Sequence, residues 1–497
     1  MISSGGDLEA QFSLESERGG VVEERPFHVL VMGDWSAGGR RKPLSERPVV
    51  EIDRDNFDQV LADISPTLDV EVGSRPLTIS FSTLDDFHPD RLYEQVPLFA
   101  EFRGLRGRLR NNDTFDKAVR ELRRGSEVSE STSIQTDQHQ EGVDSGDLLG
   151  QILARKTDAA PLSRKSPDDL SGLVSELVRP YLVKVDEDEQ DQMVAVVDRA
   201  ASELMRTLIH DRRFRELEAA WRGLYFFVRR AETGADLKIF VLDATREELS
   251  ENLKSESDLE DTFVSELLSG NRSGQPWAVV AGNYGFRPNV DDAAALVRIS
   301  KICSSANVPF ISHMRPEILG ISSFEGYADP KEWQLLSDSG ATRLWSTLRS
   351  MPESEYLGMS IPRFLGRLPY GFDTEPLETF AFEEFVAGPD HDKLLWINPA
   401  FACALLLAQS FSAGGWEMGR SLVNDLERLP LYTYTAGGQT VYQPCAEVQL
   451  SHRAADVLAE YGLMPLVSFK DSDRIQITRF QSIADPPTVL RGRWSQS

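Results

Sequence analysis

Residues Gly125 to Gly146 read GSEVSESTSIQTDQHQEGVDSG, with five acids, no Lys or Arg, and only Val128, Ile134 and Val143 as bulky apolar side chains. A segment of this composition cannot bury enough apolar surface to offset the entropy of ordering it. It is expected to be a disordered acidic linker, and it divides the chain into two folded parts. At roughly 100–200 residues per domain, the 497 residues suffice for about three domains, each able to bury a core.

The composition, 41% hydrophobic residues with a mean hydropathy of −0.31, is that of soluble globular domains. Seventy-nine acids against 53 bases give a net charge of −26, which argues against nucleic acid or an anionic membrane as partner. The basic runs at Arg40 to Lys42 and from Arg103 to Arg124 lie among acids or at helical spacing and read as solvated faces. Cys303, Cys403 and Cys445 are widely separated in apolar or mixed surroundings, as expected of reduced thiols in a cytoplasmic protein. The start lacks a basic segment followed by an apolar core, so no secretory signal is expected. The most apolar stretch, Leu394 to Phe411, contains Asn398, Pro399 and Gln409 and reads as a buried helix entered through Pro399, with no membrane insertion.

Residues 1–24 are polar and rich in Gly and Ser, a flexible arm. Over 25–124 the patterns predict a small mixed α/β domain. Phe27 to Met32 is a continuous β-favouring run ended by Gly33-Asp34, a buried strand entering a loop. Helical spacing follows from Asp55 to Ile64, and period-two alternation on either side of Gly73-Ser74 predicts a hairpin. Pro89 opens a helix carrying Leu92, Val96, Phe99 and Phe102 on one face, and a second helical stretch runs to Arg124.

Beyond the linker, residues 147–192 form a connector that begins with a short helical stripe, Leu148, Leu149, Ile152 and Leu153, capped by Asp147. A helix this short is marginal alone, and Gly150 costs it about 1 kcal/mol relative to Ala. The stripe therefore either orders on a partner or packs locally. Over 193–480, Phe214, Leu217, Trp221, Leu224 and Val228 make an amphipathic helix, and helices then alternate with strands at Leu237 to Leu242, Trp277 to Ala281, Val308 to Ser312 and Tyr356 to Ile361. This alternation predicts a larger α/β domain with a partly parallel sheet. A capped helix from Ser451 to Tyr461 precedes strands at Leu466 to Phe469 and Ile475 to Phe480, and 481–497 is a tail.

Signals for chemistry do not hold. The run Gly33 to Lys42 follows a strand, but Gly38 is followed by Gly39-Arg40 and not by the Lys-Ser/Thr and helix start that a phosphate loop needs. Asp85, Asp86, His88 and Asp90 cluster around Pro89, where Asp86 or His88 serves as a helix cap and the acids sit at the positive end of the helix dipole. His210, His313 and His452 have no nucleophile in a recognisable context, so no enzyme, cofactor or metal site is expected.

Longer motifs do point somewhere. Phe27 to Asp34, Pro43 to Pro48 with Glu51 to Phe57, and Leu84 to Asp90 together resemble the small sheath subunit of the bacterial type VI secretion system (TssB/VipA). Leu148-Leu149, Ile209 to Leu224, Leu237 to Leu242, Val308 to Ile311, Ile361 to Gly371 and Leu395 to Phe401 resemble the large sheath subunit (TssC/VipB). The resemblance implies a phage-tail-sheath-like fold in a contractile sheath, which wraps an inner tube protein on a baseplate and is built from heterodimers joined by exchanged terminal strands. It also implies that an AAA+ ATPase (ClpV) recycles contracted sheath through the helix bearing Leu148, Leu149, Ile152 and Leu153. Work would come from packing energy released when protomer contacts switch, without covalent catalysis.

The family encodes these halves separately, and joining them fixes a 1:1 ratio. A random tether over 125–146 spans roughly 25 Å and gives a local concentration on the order of mM. The large-subunit resemblance ends near Phe480, so the C-terminal region with its linking strand is expected to be absent. Besides an ordinary protomer, a specialised terminal or capping sheath element and a soluble regulator of the sheath or its ATPase remain as readings.

Overall fold

The computed structural model describes residues 25–38, 42–72, 75–130, 190–255, 258–270, 276–335 and 340–496, together with Val174, Leu177 and Val178. The expected arm over 1–24 and most of the linker and connector lie outside these residues. Helix α4, Asn112–Glu130, runs past Arg124 into the stretch expected to be a tether, and residues 131–146 lie outside the described part.

The expected mixed α/β class and the largely parallel sheet are present, with the sheet shared between the two halves of the chain. Among the described residues its nine strands run in the order β11-β15-β14-β8-β7-β6-β1-β5-β2. Strand β1 (Phe27–Gly33) lies parallel to both β5 (Leu237–Asp243) and β6 (Trp277–Phe286), and β7 (Phe310–Met314), β8 (Leu357–Ile361) and β14 (Met464–Ser468) continue the parallel run. The edges are antiparallel. Strand β2 (Val50–Ile52) closes one side on β5, while β15 (Ile475–Ile477) and β11 (Asp425–Leu426) close the other.

Strands buried on both faces carry continuous apolar runs, and β1 is of this kind. Phe27, Val29 and Val31 point into one core, and Leu30 and Met32 into the other, alternating as a pleated strand requires. Helices α1 (Phe57–Ile64), α2 (Pro89–Gln95), α3 (Pro97–Arg110), α4, α5 (Gln190–Ile209), α6 (Arg212–Arg230) and α11 (Ala400–Gly414) contribute to the first core. The opposite core takes α7 (Arg246–Ser255), α8 (Phe263–Leu268), α9 (Val290–Ala306), α10 (Gly340–Arg349) and α12 (His452–Glu460). Helix α11 is the apolar stretch expected to be a buried helix, and it packs on the parallel strands and on α6. A Cβ at Gly223 of α6 would lie 2.6 Å from the Phe401 ring, so this crossing requires glycine.

Several boundaries differ from the sequence reading. The helix opened by Pro89 stops at Val96 and restarts at Pro97, because a proline disfavours helical backbone in the residue before it and cannot donate to the ladder. The hairpin of β3 (Thr67–Val72) and β4 (Arg75–Ser80) forms as expected. A second hairpin, β12 (Tyr432–Ala436) with β13 (Gln439–Gln443), has no counterpart in that reading, although Gly437 and Gly438 supply the two positive φ values its turn needs. Between β8 and α11 the chain adds a short antiparallel pair, β9 (Phe364–Leu365) with β10 (Trp396–Ile397). Within 481–496 the chain is packed, with Ile483, Leu490 and Trp494 buried and the Trp494 ring 6.4 Å from Phe27.

Candidate functional site

The structure concentrates its unusual side chains along the seam where the first half meets the second. Immediately after β1 the backbone N–H groups of Trp35 and Ser36 donate to Asp243 Oδ1 at 2.8 and 3.3 Å, and Ser36 Oγ donates to Oδ2 at 2.7 Å. The buried Trp35 indole donates to Leu242 O at 3.1 Å, and the Trp221 indole of α6 donates to Trp35 O at 3.0 Å. These two rings meet edge to face at 5.4 Å, and Phe57 packs on the other side of Trp221 at 5.9 Å. Phe214, two turns earlier on the same stripe of α6, packs against Phe81 and Phe87 of the first half. The predicted α6 stripe is therefore the face that receives the first half.

Arg47 extends the seam. Its guanidinium holds both carboxylate oxygens of Glu248 and donates to Asp243 O at 2.7 Å, while Nε donates to Lys42 O at 2.8 Å. The Glu248 hydrogen bond outweighs burial and raises the Arg47 pKa. In the glycine-bearing loop the backbone donors of Trp35, Ser36 and Ala37 are thus spent on Asp243 and Asp34, and a 3-10 turn followed by β2 stands after it.

In the Asp86–His88–Asp90 cluster, Asp86 and His88 act as caps, as their position around Pro89 suggests, and Asp90 faces the second half. Asp86 accepts from Ser82 N, Thr83 N and Gln95 Nε2 at 2.7, 2.9 and 3.0 Å, and these bonds overcome burial to lower its pKa. His88 Nδ1 accepts from Asp90 N at 3.2 Å at the start of α2. Asp90 in turn accepts from Glu378 N, Thr379 N and Thr379 Oγ1 at 3.0, 3.1 and 2.6 Å, which pins α2 to the second half.

Beneath this contact lies a buried charge network that the sequence reading missed. Arg367, 5% exposed, reaches Glu218 Oε1 of α6 at 2.8 Å and Glu384 Oε2 at 2.7 Å, and stacks over the Tyr370 ring at 4.1 Å. Arg222 Nε donates to Glu218 Oε1 at 2.7 Å and Arg222 Nη2 to the Tyr370 hydroxyl at 3.0 Å. Tyr370 also presents its ring edge-on to His88, 4.9 Å away, so the network touches the first half directly. Burial would raise the Glu384 pKa, but the Arg367 charge, the His210 side chain and the Tyr370 N–H prevail and hold it at about 2. Burial pushes the Tyr370 hydroxyl up to about 12. Two acids and two guanidiniums balance here, and removing one would leave a buried charge unpaired.

The stripe Leu148, Leu149, Ile152 and Leu153 lies outside the described residues. Of the same connector, Val174, Leu177 and Val178 are described, and all three are buried in the first core.

Comparison with known proteins follows the same division of the chain. Residues 191–484 match the family model for VipB, described as a tail sheath N-terminal domain, and residues 9–132 match the type VI secretion system VipA model. The type VI secretion system sheath protein TssC1 of Pseudomonas aeruginosa is 32% identical over 306 residues, covering 60% of this chain. The chain spans 61% of that relative's length. The two matched regions meet in a single sheet, where β1 and β2 of the first flank β5 of the second.

The Glu384 pKa fixes a pH dependence. The folded value lies below the ordinary glutamate value of 4.5, so the stabilisation is present above that pH and is lost as pH falls toward about 2. Glu384→Gln is expected to lower stability at neutral pH by about 3–5 kcal/mol and to flatten the acid limb of the unfolding free energy, measured by urea denaturation at a series of pH values. An unchanged acid limb would place the proton uptake elsewhere.

Proposed function

Because the chain belongs to the VipB tail-sheath family and carries a VipA segment in the same polypeptide, we propose that it is a structural protomer of a type VI secretion contractile sheath, a TssB–TssC heterodimer fused into one chain. The observation that carries this reading is the seating of β1 between β5 and β6, which makes the VipA segment an integral layer of the VipB sheet. In this reading residues 25–124 act as the small subunit, 125–146 as the joint, 147–192 as connector and 193–480 as the large subunit. The protein works in the cytoplasm, packs with other sheath protomers around the inner tube protein, and is anchored at the baseplate. No helix among the described residues is long and apolar enough to cross a membrane.

Its contribution is mechanical, through packing energy that a change of protomer contacts releases, and no catalysis is assigned to it. The seam supports this role, since its polar groups are engaged with one another in a rigid joint that transmits force between the halves. Sedimentation of the purified chain with sheath of the same organism tests the role, and co-pelleting with incorporation visible by electron microscopy is expected. A chain that stays in the supernatant would instead be a soluble regulator, and one found only at sheath ends a capping element.

We assign Leu148, Leu149, Ile152 and Leu153 to the recycling AAA+ ATPase ClpV, on the strength of the apolar stripe and the family resemblance. Leu148→Asp with Leu149→Asp is expected to abolish ATPase pull-down and leave the unfolding transition unchanged. Retained pull-down would remove the assignment.

A further inference from the structure

A cleft of about 590 Å³ opens where the parallel strands β1, β6, β7 and β8 end. In open α/β sheets this carboxyl edge is where ligands bind, and the volume lies in the range of small-molecule sites. The turn after β1 forms one wall, with Ala37 and Gly38 at φ 54 and 89°. A left-handed alanine costs energy, and such strain persists where the surroundings impose it. The start of α6 and the ends of β6, β7 and β8 supply the other walls.

Five arginines line these walls beside four carboxylates, Asp34, Glu216, Asp392 and Glu447, a local excess of positive charge in a chain of net charge −26. Two have carboxylate partners within the cleft: Arg363 Nε donates to Glu447 Oε1 at 2.9 Å and Arg212 Nε to Glu216 Oε1 at 2.9 Å. Three others differ. Arg213 donates to the backbone carbonyls of Asp69 and Ala37 at 3.1 and 3.4 Å. Arg215, half-buried, donates to His210 O at 3.2 Å and to Asp392 O. Arg315, also half-buried, reaches Glu317 only at 3.8 Å, and that carboxylate is shared with Arg287 at 3.2 Å. No carboxylate lies within ion-pair distance of Arg213 or Arg215 among the described residues.

Partly burying guanidiniums on carbonyls, beside other guanidiniums, is unfavourable unless a counter-charge arrives. Burial and then the Arg363 charge lower the Arg215 pKa against the opposing pull of Glu216, Asp392 and Asp390, and burial and then the Arg287 charge lower that of Arg315 against Glu317 and Glu216. His313, on the same wall, is held neutral by burial with its pKa at about 4, so it adds no cation at neutral pH. Asp34 and Asp392 also line the cleft, so a single carboxylate or chloride has acids to compete with, whereas a multiply charged anion bridging several guanidiniums outcompetes them. The repulsion from the acidic chain as a whole is overcome only where low-dielectric walls focus the local field, as in a cleft.

We propose that this cleft is a binding site for a small polyanion, a ligand bearing two or more phosphate or carboxylate groups, with Arg213, Arg215 and Arg315 as its receptors. The site lies beside the seam turn after β1, shares no residue with the Glu218–Arg367–Glu384 network, and does not depend on the sheath role, since it can be occupied in a single protomer.

Calorimetric titration of the full chain at low salt, with pyrophosphate and with citrate as probes, tests it. Saturable binding of at least one probe is expected, weakening as salt is added. Arg215→Gln and Arg315→Gln should each weaken it about tenfold or more, and the exposed Arg420→Gln should bind as the parent does. The probe that binds separates a phosphate from a carboxylate ligand. Absence of saturable heat with both probes overturns the proposal, as does affinity retained in Arg315→Gln. Binding of an oligoglutamate peptide with neither small probe bound also overturns it and makes the cleft a protein-docking surface. Circular dichroism confirms folding of each variant, and Arg213→Gln, at an exposed position, carries the test should Arg215→Gln fail to fold.

Discussion

Everything in this fold rests on β1 occupying the slot between β5 and β6. Those two strands are consecutive in the second half of the sheet and are joined through α7 and α8, yet they do not pair with each other. Remove β1, and the backbone groups that β5 and β6 direct at it lose their partners in the middle of a two-layered core, a cost that accumulates over the strand. Val29, Leu30, Val31 and Met32 are essentially unexposed there. Each contributes about 1.5–3 kcal/mol relative to solvent exposure, an upper value because the unfolded chain is itself partly compact. The second half cannot complete its sheet alone, and the first half has only the β3–β4 hairpin without it.

The seam contacts follow from that slot. Once β1 ends at Gly33, the chain turns across the carboxyl edge of the sheet, which puts Trp35 on Trp221 and Ser36 on Asp243. From there α2 reaches the Pro362 to Glu384 segment, where Asp90 and His88 meet Thr379 and Tyr370. The Glu218–Arg367–Glu384 network then fixes α6 to that segment. A buried ion network adds little net stability compared with an apolar core but penalises any other docking geometry severely. For the sheath protomer proposed above, a single arrangement of the two halves is the useful property.

The central strands were legible in the sequence, while the short edge strands and all strand pairing outside the first hairpin were not. Phe27 to Met32 reads as a buried strand because it is continuously apolar, but the same continuity erases the alternation that would orient it, and nothing local names a partner more than two hundred residues away. The halves consequently read as two linked domains, with the partly parallel sheet assigned to the second alone. The α6 stripe from Phe214 to Val228 was visible, without a sign of what it covers. Val96 fits the helical stripe of its neighbours, and Pro97 overrides that stripe. The second hairpin had a readable signal in Gly437-Gly438 between alternating runs. Arg367 had none, since an arginine in an irregular proline-flanked stretch is ordinarily solvated, and only the fold brings two glutamates to it. The family resemblance identified the parts correctly because it rests on long ordered motifs, which do not require knowing how the parts interlock.

Cutting the covalent joint tests the interlock most directly. A specific protease site placed within residues 131–146 permits cleavage of the folded protein, followed by size-exclusion chromatography in native buffer and again in denaturant. If β1 is seated in the β5–β6 slot, the two fragments co-elute as a 1:1 complex in native buffer and separate only in denaturant. Separation of soluble, folded fragments in native buffer would contradict the account.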